Sequence, residues 1–533
     1  MKGIQILDCT LRDGGRIINC AFPDTETLGL LEGFSRANID IVEIGFLRDI
    51  DDYQGNSTFF GKIEQAERLV QGSDRQYTLF IDYGMYDISK LPLCTGAITG
   101  IRFGFTKKDF LNKRDAVKRE MLSIKEKGYQ LFFQGVNTVG YTDQEMLELI
   151  ALANEVTPNA FGIVDTYGSM YKEDIRRLFT LVDFNLNSNV AIDFHGHNNI
   201  QMAFALAQEA IDLCQGKRNL IIDATLDGMG KCAGNLNTEL IVHYLNQKKN
   251  TDYEFDCLLD AIDEYISKYK EQEAWGYSIP SFMAGIYKSH PNNVIYLTNK
   301  FRISTKDIRK MLSLIDEPTR QRYDYDNIQR IYKEYFTDSQ NDEKTIEELR
   351  QRLAGRKVLV IAPGNSINEC RQSIIDYVEA NKPIVISVNF EDALSEIIFY
   401  GNDRRYQKAE SSVQNKDVVL TSNVKCRTGN ERVVNYMKCI ANSGNYFDNS
   451  TLMLLALLQR VQVEDIAVAG MDGFVKNGIN YFDDSDLGRK CEDQFEMINR
   501  ELEMHLAYYV KRNEGKIQVR FITPSRFEHV TNR

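Results

Sequence analysis

Short apolar runs recur eight times in the first 225 residues, each trailed by a stretch with helical spacing, and this alternation limits the fold more tightly than anything else in the chain. The runs lie at 4–7, 39–46, 77–81, 100–105, 130–135, 160–164, 190–194 and 220–222; the helical stretches include 24–37, 114–127, 143–155, 172–182 and 200–213. Strands separated by an amphipathic helix pair in parallel, because only a long crossover returns the chain to the same end of a sheet. Eight such units close into an α/β structure of the (β/α)8, or TIM barrel, type. An open doubly wound sheet is the alternative, and the polar residues at the ends of so many runs favour the barrel, whose chemistry gathers at one rim.

Beyond the eighth run the text becomes helical, with periodic segments at 255–269, 304–315 and 325–335 that suggest a helical cap. A strand, a Pro-Gly turn and a helix then begin at Lys357, and strand-like runs return at 383–388, 417–421, 465–469 and 517–522, the outline of a Rossmann-like second domain. The expected organisation is a barrel over 1–290, a helical extension over 291–336, a linker over 337–356 and the second domain over 357–533. The linker is charged and poor in large apolar residues, and should end in a solvated helix.

For 533 residues, 43% hydrophobic with 35 Gly and 9 Pro, large folded cores are expected rather than disorder. The 64 Lys and Arg against 76 Asp and Glu give a net charge of −12, which argues against nucleic acid or an anionic membrane as partner. The start, MKGIQILDCTLRDGG, reaches charge too early for a signal peptide, so a cytoplasmic location is expected. Ten cysteines without a CxxC pair read as reduced core residues.

The strongest chemical signal is His195-Gly196-His197 after the seventh run, in a chain with 6 histidines. Alternate strand positions send both imidazoles to one side, an arrangement suited to a divalent cation. After the first run, Asp8-Cys9-Thr10-Leu11-Arg12-Asp13-Gly14-Gly15 supplies a carboxylate beside an arginine, then glycines that permit close backbone approach. In a closed barrel only the eighth strand separates these two rims, so Asp13 can complete a two-histidine, one-carboxylate set with open positions. The turn 227–235 is Gly-rich and opens a helix at 237–245, a place where an anion can sit.

LDCTLRDGG, VDTYGSM, IDFHGHNNIQMAFALAQEAI and IDATLDGMGKCAGN together resemble the pyruvate-dependent 4-hydroxy-2-oxovalerate aldolases, within the wider group of metal-dependent barrels that includes 3-hydroxy-3-methylglutaryl-CoA lyase. The resemblance spans residues 1 to about 290. It implies Mn2+ or Mg2+ on Asp13, His195 and His197, chelating a 2-oxo acid, with Arg12 stabilising the enolate. It also nominates Tyr287, in Ala284-Gly285-Ile286-Tyr287-Lys288-Ser289, as a proton donor, and Asn235 as a further ligand to metal or substrate. One departure matters: where those aldolases place a catalytic histidine shortly after RDG, this chain has Arg16, a poor base. His290, three residues after Tyr287, is a candidate to carry the proton, and Asp165 and Tyr167, after the sixth run, are further candidates for that role; Asp165 and Thr166 are also candidates for substrate contact. Cys232 reads as structural.

The function expected is a metal-dependent aldolase or lyase that makes or cleaves a C–C bond of a 4-hydroxy-2-oxo acid, with a 2-oxo acid and an aldehyde as small-molecule partners and a homo-oligomer as the assembly. The alternatives are an acyl-CoA-dependent Claisen-type enzyme and a non-catalytic metal-binding homologue. A Schiff-base route is disfavoured, since no lysine lies near the end of the sixth run. In the second domain, Ala362-Pro363-Gly364-Asn365-Ser366 and the strand end at 470–473 loosely resemble nucleotide-binding domains of sialyltransferase-like and pterin pyrophosphokinase-like proteins, which implies a phosphate-bearing nucleotide or nucleotide sugar there; a structural or assembly domain is the alternative.

Overall fold

Strands buried on both faces must be apolar almost throughout, and the runs that announce them in the sequence are of this kind. The computed structural model describes residues 3–50, 53–70, 75–298, 305–335, 341–409, 411–413, 416–424, 429, 431–441, 446–476, 478–482 and 495–531. The first nine strands are β1 (Ile4–Asp8), β2 (Ile41–Leu47), β3 (Phe59–Phe60), β4 (Gln76–Asp82), β5 (Ile98–Phe105), β6 (Gln130–Gly135), β7 (Ala160–Asp165), β8 (Ala191–Gly196) and β9 (Leu220–Ala224). They pair in parallel in the order β1-β9-β8-β7-β6-β5-β4-β2, and a β1–β2 pairing closes the ring, so eight strands form the barrel expected from the sequence. The two-residue β3, absent from the sequence reading, hangs on β2 outside the ring.

Helices Asp24–Arg36, Asp143–Val156, Lys172–Asn185 and Ala203–Cys214 follow their strands close to the expected limits. The helix expected from 114 instead begins at Lys107, with a non-helical break at Lys113. Thr106 and Asp109 explain the earlier start: each side chain accepts a hydrogen bond from the other's backbone N–H, a capping box that fixes the first turn.

The chain forms two compact units, Met1–Ile295 with Leu312–Tyr323, and Tyr296–Met311 with Asp324–Arg533. The helical interval expected over 291–336 is therefore shared between them. Within the expected linker, 337–340 lie outside the described residues, whereas helix Glu343–Leu353 buries Ile346, Leu349 and Leu353 and is packed on one face rather than solvated all round.

The second unit holds β10 (Lys357–Ile361), β11 (Ile384–Val388), β12 (Ile397–Tyr400), β13 (Val418–Thr421), β14 (Arg432–Val434), β15 (Asp465–Ala469) and β16 (Gln518–Phe521), all parallel, in the order β14-β13-β12-β11-β10-β15-β16. β12 and β14, four and three residues long, are too short to show a period in sequence. The order reverses between β10 and β15, where ligands of such sheets usually bind. Here that crevice is occupied by the chain itself: Ser366 N–H donates to Asp472 Oδ2 at 2.8 Å and Ser366 Oγ to Asp472 Oδ1 at 2.5 Å, while Thr523 Oγ1 accepts from Gly470 N–H at 2.9 Å. The turn at which a nucleotide was expected is thus capped by an internal carboxylate.

Eight cysteines among the described residues are free thiols, as expected; Cys426 and Cys491 lie outside those residues. Among the described residues no helix is long and apolar enough to cross a membrane.

Candidate metal centre at the barrel mouth

The turn after β1 is held by one carbonyl: Cys9 O accepts from the N–H groups of Arg12, Asp13 and Gly14. Gly15 then passes so close to the Phe22 ring that a Cβ would lie 3.0 Å from it, which accounts for the second glycine of the motif. This turn delivers Asp13, 4% exposed, to the carboxyl end of the barrel. The end of β8 delivers His195, and His197 follows one residue beyond the strand.

The three side chains converge. Asp13 Oδ2 lies 3.4 Å from His197 Nε2 and 3.7 Å from His195 Nε2, and the two rings sit edge to face with centroids 5.1 Å apart. Burial lowers both imidazoles to about 4, so each is neutral at physiological pH and offers a lone pair. Burial works against ionisation of Asp13 as well, but the Arg12 guanidinium, with the two histidines and Arg16, holds its carboxyl well below the usual range.

Asp13 Oδ2 and Asn235 Oδ1 are both buried without a hydrogen-bond partner among the described residues, as are Glu43 Oε1, Asp193 Oδ1 and Asp223 Oδ1 in the barrel beneath them. Orphaned buried acceptors are rare in folded proteins, and a divalent cation satisfies them. Asn235 reaches this place because the Gly-rich turn folds back on itself. Gly234, at φ +75°, passes so near Gly228 O that a Cβ would meet it at 1.8 Å, and the next residue pairs with His197 in an antiparallel bridge. That turn positions a side chain rather than an anion: Thr238 Oγ1 at the helix start donates to Asp8 Oδ2, and Glu239 Oε2 accepts from Asp227 N–H. A second potential ligand group, Cys9, His195 and Asp223, is already committed. Cys9 Sγ donates to Ala224 O at 3.4 Å, burial pushes its thiol up, and Asp223 is hydrogen-bonded to Arg102.

Beneath the mouth lies a polar network that the sequence reading missed. Arg102, fully buried on β5, donates to Glu43 at 3.1 Å, Asp193 at 2.9 Å and Asp223 at 2.5 Å; Gln134 donates to Asp193 at 2.5 Å. Glu43 also accepts from Arg12 Nε at 2.6 Å, and Arg12 Nη1 donates to Asp13 Oδ1 at 2.5 Å. Burial disfavours the Arg12 charge, yet Glu43 and Asp13 raise its pKa, so the guanidinium stays protonated. The available signal was a charged residue within or directly after four of the apolar runs: Glu43, Arg102, Asp193 and Asp223 lie in β2, β5, β8 and β9.

The other expected site residues are placed as follows. Both Asp165 oxygens accept backbone N–H groups, from Ser169 at 2.9 Å and Met170 at 3.0 Å, and burial raises its carboxyl to about 6. It shapes the turn after β7. Thr166 Oγ1 accepts from Asn137 N–H at 2.9 Å, and Tyr167 donates to Gln321 O. Tyr287 ends helix Ile279–Ile286 under the guanidinium of Arg320; Gly285 of that helix packs so tightly on Asn199, Ile200 and Gly168 that a Cβ would lie 3.0 to 3.2 Å from them. His290 stacks on Tyr323, its Nδ1 accepts from Asn292 N–H at 3.2 Å, and burial, assisted by Lys231, lowers it to about 4. Cys232 is largely buried, and burial pushes its thiol up to about 11, in keeping with a structural role.

Fold and site together define a (β/α)8 barrel with a potential divalent-cation centre at its carboxyl-terminal rim. Residues 3–264 match the family model described as HMGL-like, so this part of the chain is similar to that family. The chain is 21% identical over 327 residues to the 4-hydroxy-2-oxovalerate aldolase of Moorella thermoacetica, a match covering 58% of this chain and 90% of that protein. It is 26% identical over 259 residues to the oxaloacetate decarboxylase of Mycobacterium tuberculosis, covering 48% and 74%. It is 23% identical over 319 residues to the 4-hydroxy-2-oxovalerate aldolase of Carboxydothermus hydrogenoformans, covering 58% and 90%.

Proposed function

We propose that the barrel is a divalent-metal-dependent aldolase or lyase acting on a 4-hydroxy-2-oxo acid through a pyruvate-like enolate. The observation that carries this reading is the orphaned Asp13 Oδ2 between two neutral imidazoles, with its partner oxygen held by Arg12. Asp13, His195 and His197 would hold Mn2+ or Mg2+, with Asn235 Oδ1 as a further ligand to metal or substrate. Bound there, the cation supplies Lewis acidity toward the keto and carboxylate oxygens of a 2-oxo acid.

The chain's own groups do the rest. Arg12, fixed by Glu43 and Asp13, places a permanent positive charge where enolate charge develops when the C–C bond breaks; such preorganised charge lowers the barrier without reorganisation. The electron pair of that bond passes to the enolate, the 4-hydroxyl proton leaves, and a proton is returned at C3. In this reading Tyr287 and His290, in the segment that Gly285 docks onto the turns after β7 and β8, carry those protons. His290 spends Nδ1 on Asn292 N–H, which leaves Nε2 as its proton-bearing edge. Arg16 is no proton acceptor.

A nucleotide or nucleotide sugar in the second unit would have to displace Asp472 from Ser366.

The test is hydrogen exchange at the pyruvate methyl group in deuterated water, followed by mass spectrometry. Exchange that requires Mn2+ or Mg2+, stops with a chelator and is untouched by borohydride supports the proposal. Exchange that survives chelation and dies with borohydride contradicts it.

A further inference from the structure

Two arginines at the mouth are not used by this mechanism. Arg16 follows β1 in the turn Gly14–Ile18, and Arg48 directly follows β2. Both guanidiniums lie on the same aromatic ring: their Cζ atoms are 4.6 and 4.8 Å from the Phe46 centroid, and that of Arg48 is 4.6 Å from Phe59. Stacking occupies the flat face of a guanidinium and leaves its N–H edge for in-plane acceptors.

Those edges are poorly supplied. The Arg16 side chain makes no hydrogen bond among the described residues; its ion pairs, to Asp13 Oδ1 and Asp82 Oδ2, span 3.3 and 3.8 Å. Arg48 donates to the same Asp82 oxygen at 3.0 Å, while its Nε is buried without a partner. Sharing one oxygen keeps the two Nη2 atoms within about 7 Å of each other. Side-chain exposures of 34% and 30% leave both accessible from the mouth.

Charge counting points the same way. Glu43 is taken by Arg12 and Arg102, and Asp13 is shared by Arg12, Arg16 and the candidate cation, so Asp82 is the one carboxylate paired with both Arg16 and Arg48 among the described residues. The single carboxylate of a 2-oxo acid, added beside Asp13 and a divalent cation, neutralises that half of the site. The surplus positive charge remains on the arginine pair.

We propose that Arg16 and Arg48 bind a second anionic group of the substrate, a carboxylate or a phosphate on the half of the molecule beyond the 2-oxo acid, so that the enzyme selects dianionic substrates. This rests on the metal-site reading above. Arg16 touches Asp13 from the side opposite the histidine-facing oxygen, so an anion on the pair lies within a few bonds of the reacting carbons.

Calorimetric titration of the Mn2+-loaded protein tests this with three five-carbon-scale probes: 2-oxovalerate with an uncharged tail, 2-oxoglutarate with a carboxylate tail and 2-oxo-4-phosphonobutyrate with a phosphonate tail. At least one dianion should bind about tenfold or more tightly than 2-oxovalerate, and the tighter one identifies the group. Arg48→Gln should shrink that preference to less than about threefold while 2-oxovalerate binding stays within about twofold, and Arg48→Lys should restore part of it. Arg16→Gln should shrink it too, which keeps the test open if Arg48→Gln fails to fold. Equal affinity for all three probes, or a preference that survives both Gln variants, overturns the inference and leaves the metal site standing. Failure of every probe to bind the Mn2+-loaded protein removes the 2-oxo-acid reading of the site and this inference with it.

Discussion

Asp223 Oδ2 lies 2.9 Å from His195 Nδ1 and fixes which nitrogen of that imidazole faces Asp13. The carboxylate accepts from Nδ1–H, so the lone pair is on Nε2, toward the candidate metal. Partners of this kind orient a ligand and raise its basicity. Asp223→Asn is therefore expected to weaken Mn2+ affinity by about 10- to 100-fold while the protein stays folded. Titration of Mn2+ into the variant checks this, and unchanged affinity would show that the contact is only structural.

Arg12 touches both Asp13 and Glu43 through different nitrogens, a fork that Lys cannot reproduce. Arg12→Lys should lower the rate of pyruvate methyl exchange by about 10²- to 10³-fold, as when a preorganised donor is lost, with much less effect on Mn2+ affinity. Rates and affinity measured on one preparation separate the two effects.

Arg102 is the only guanidinium bonded to all three of Glu43, Asp193 and Asp223 among the described residues. Arg102→Leu would leave buried carboxylates without their cation, a change that typically costs about 3–5 kcal/mol. Urea unfolding of the metal-free protein should show a loss of this order, whereas replacing the exposed Arg114, paired with Glu155 at the surface, should cost less than about 1 kcal/mol.

Acid and base act in opposite directions on the metal-free protein. His195 and His197 are lowered to about 4 by burial, below the unfolded value of about 6.5, so their contribution to stability is complete above about 6.5 and is lost as pH falls through about 4. Burial raises Asp8 and Asp193 to about 7, so their contribution is complete below about 3.9 and is lost as pH rises through about 7. Urea midpoints across pH 4 to 8 should therefore pass through a maximum, and Asp8→Asn, which removes one raised carboxyl, should flatten the alkaline side. An unchanged alkaline slope in that variant would contradict the assignment to Asp8.

The barrel was legible because strands buried on both faces are written as apolar runs, and their rims were legible because His195-Gly196-His197 and Arg12-Asp13 end two of them. The supporting network was harder to see. Glu43, Arg102, Gln134, Asp193 and Asp223 come from five strands, and only the closed ring shows that one guanidinium serves three carboxylates. Asp165 looked like a site carboxylate from its place at a strand end, but its oxygens go to Ser169 and Met170 N–H, a use that depends on the local turn. In the second unit, the Pro363-Gly364 turn suggested an anion site, and the anion comes from Asp472, 106 residues away from Ser366.

The most direct test of the central claim is Mn2+ binding followed by electron paramagnetic resonance, in the wild type and in Asp13→Asn and His197→Ala. The account predicts one tightly bound Mn2+ per chain whose spectrum changes when pyruvate is added, and loss of that site in both variants. Tight, pyruvate-sensitive Mn2+ binding that persists in Asp13→Asn and in His197→Ala would contradict it.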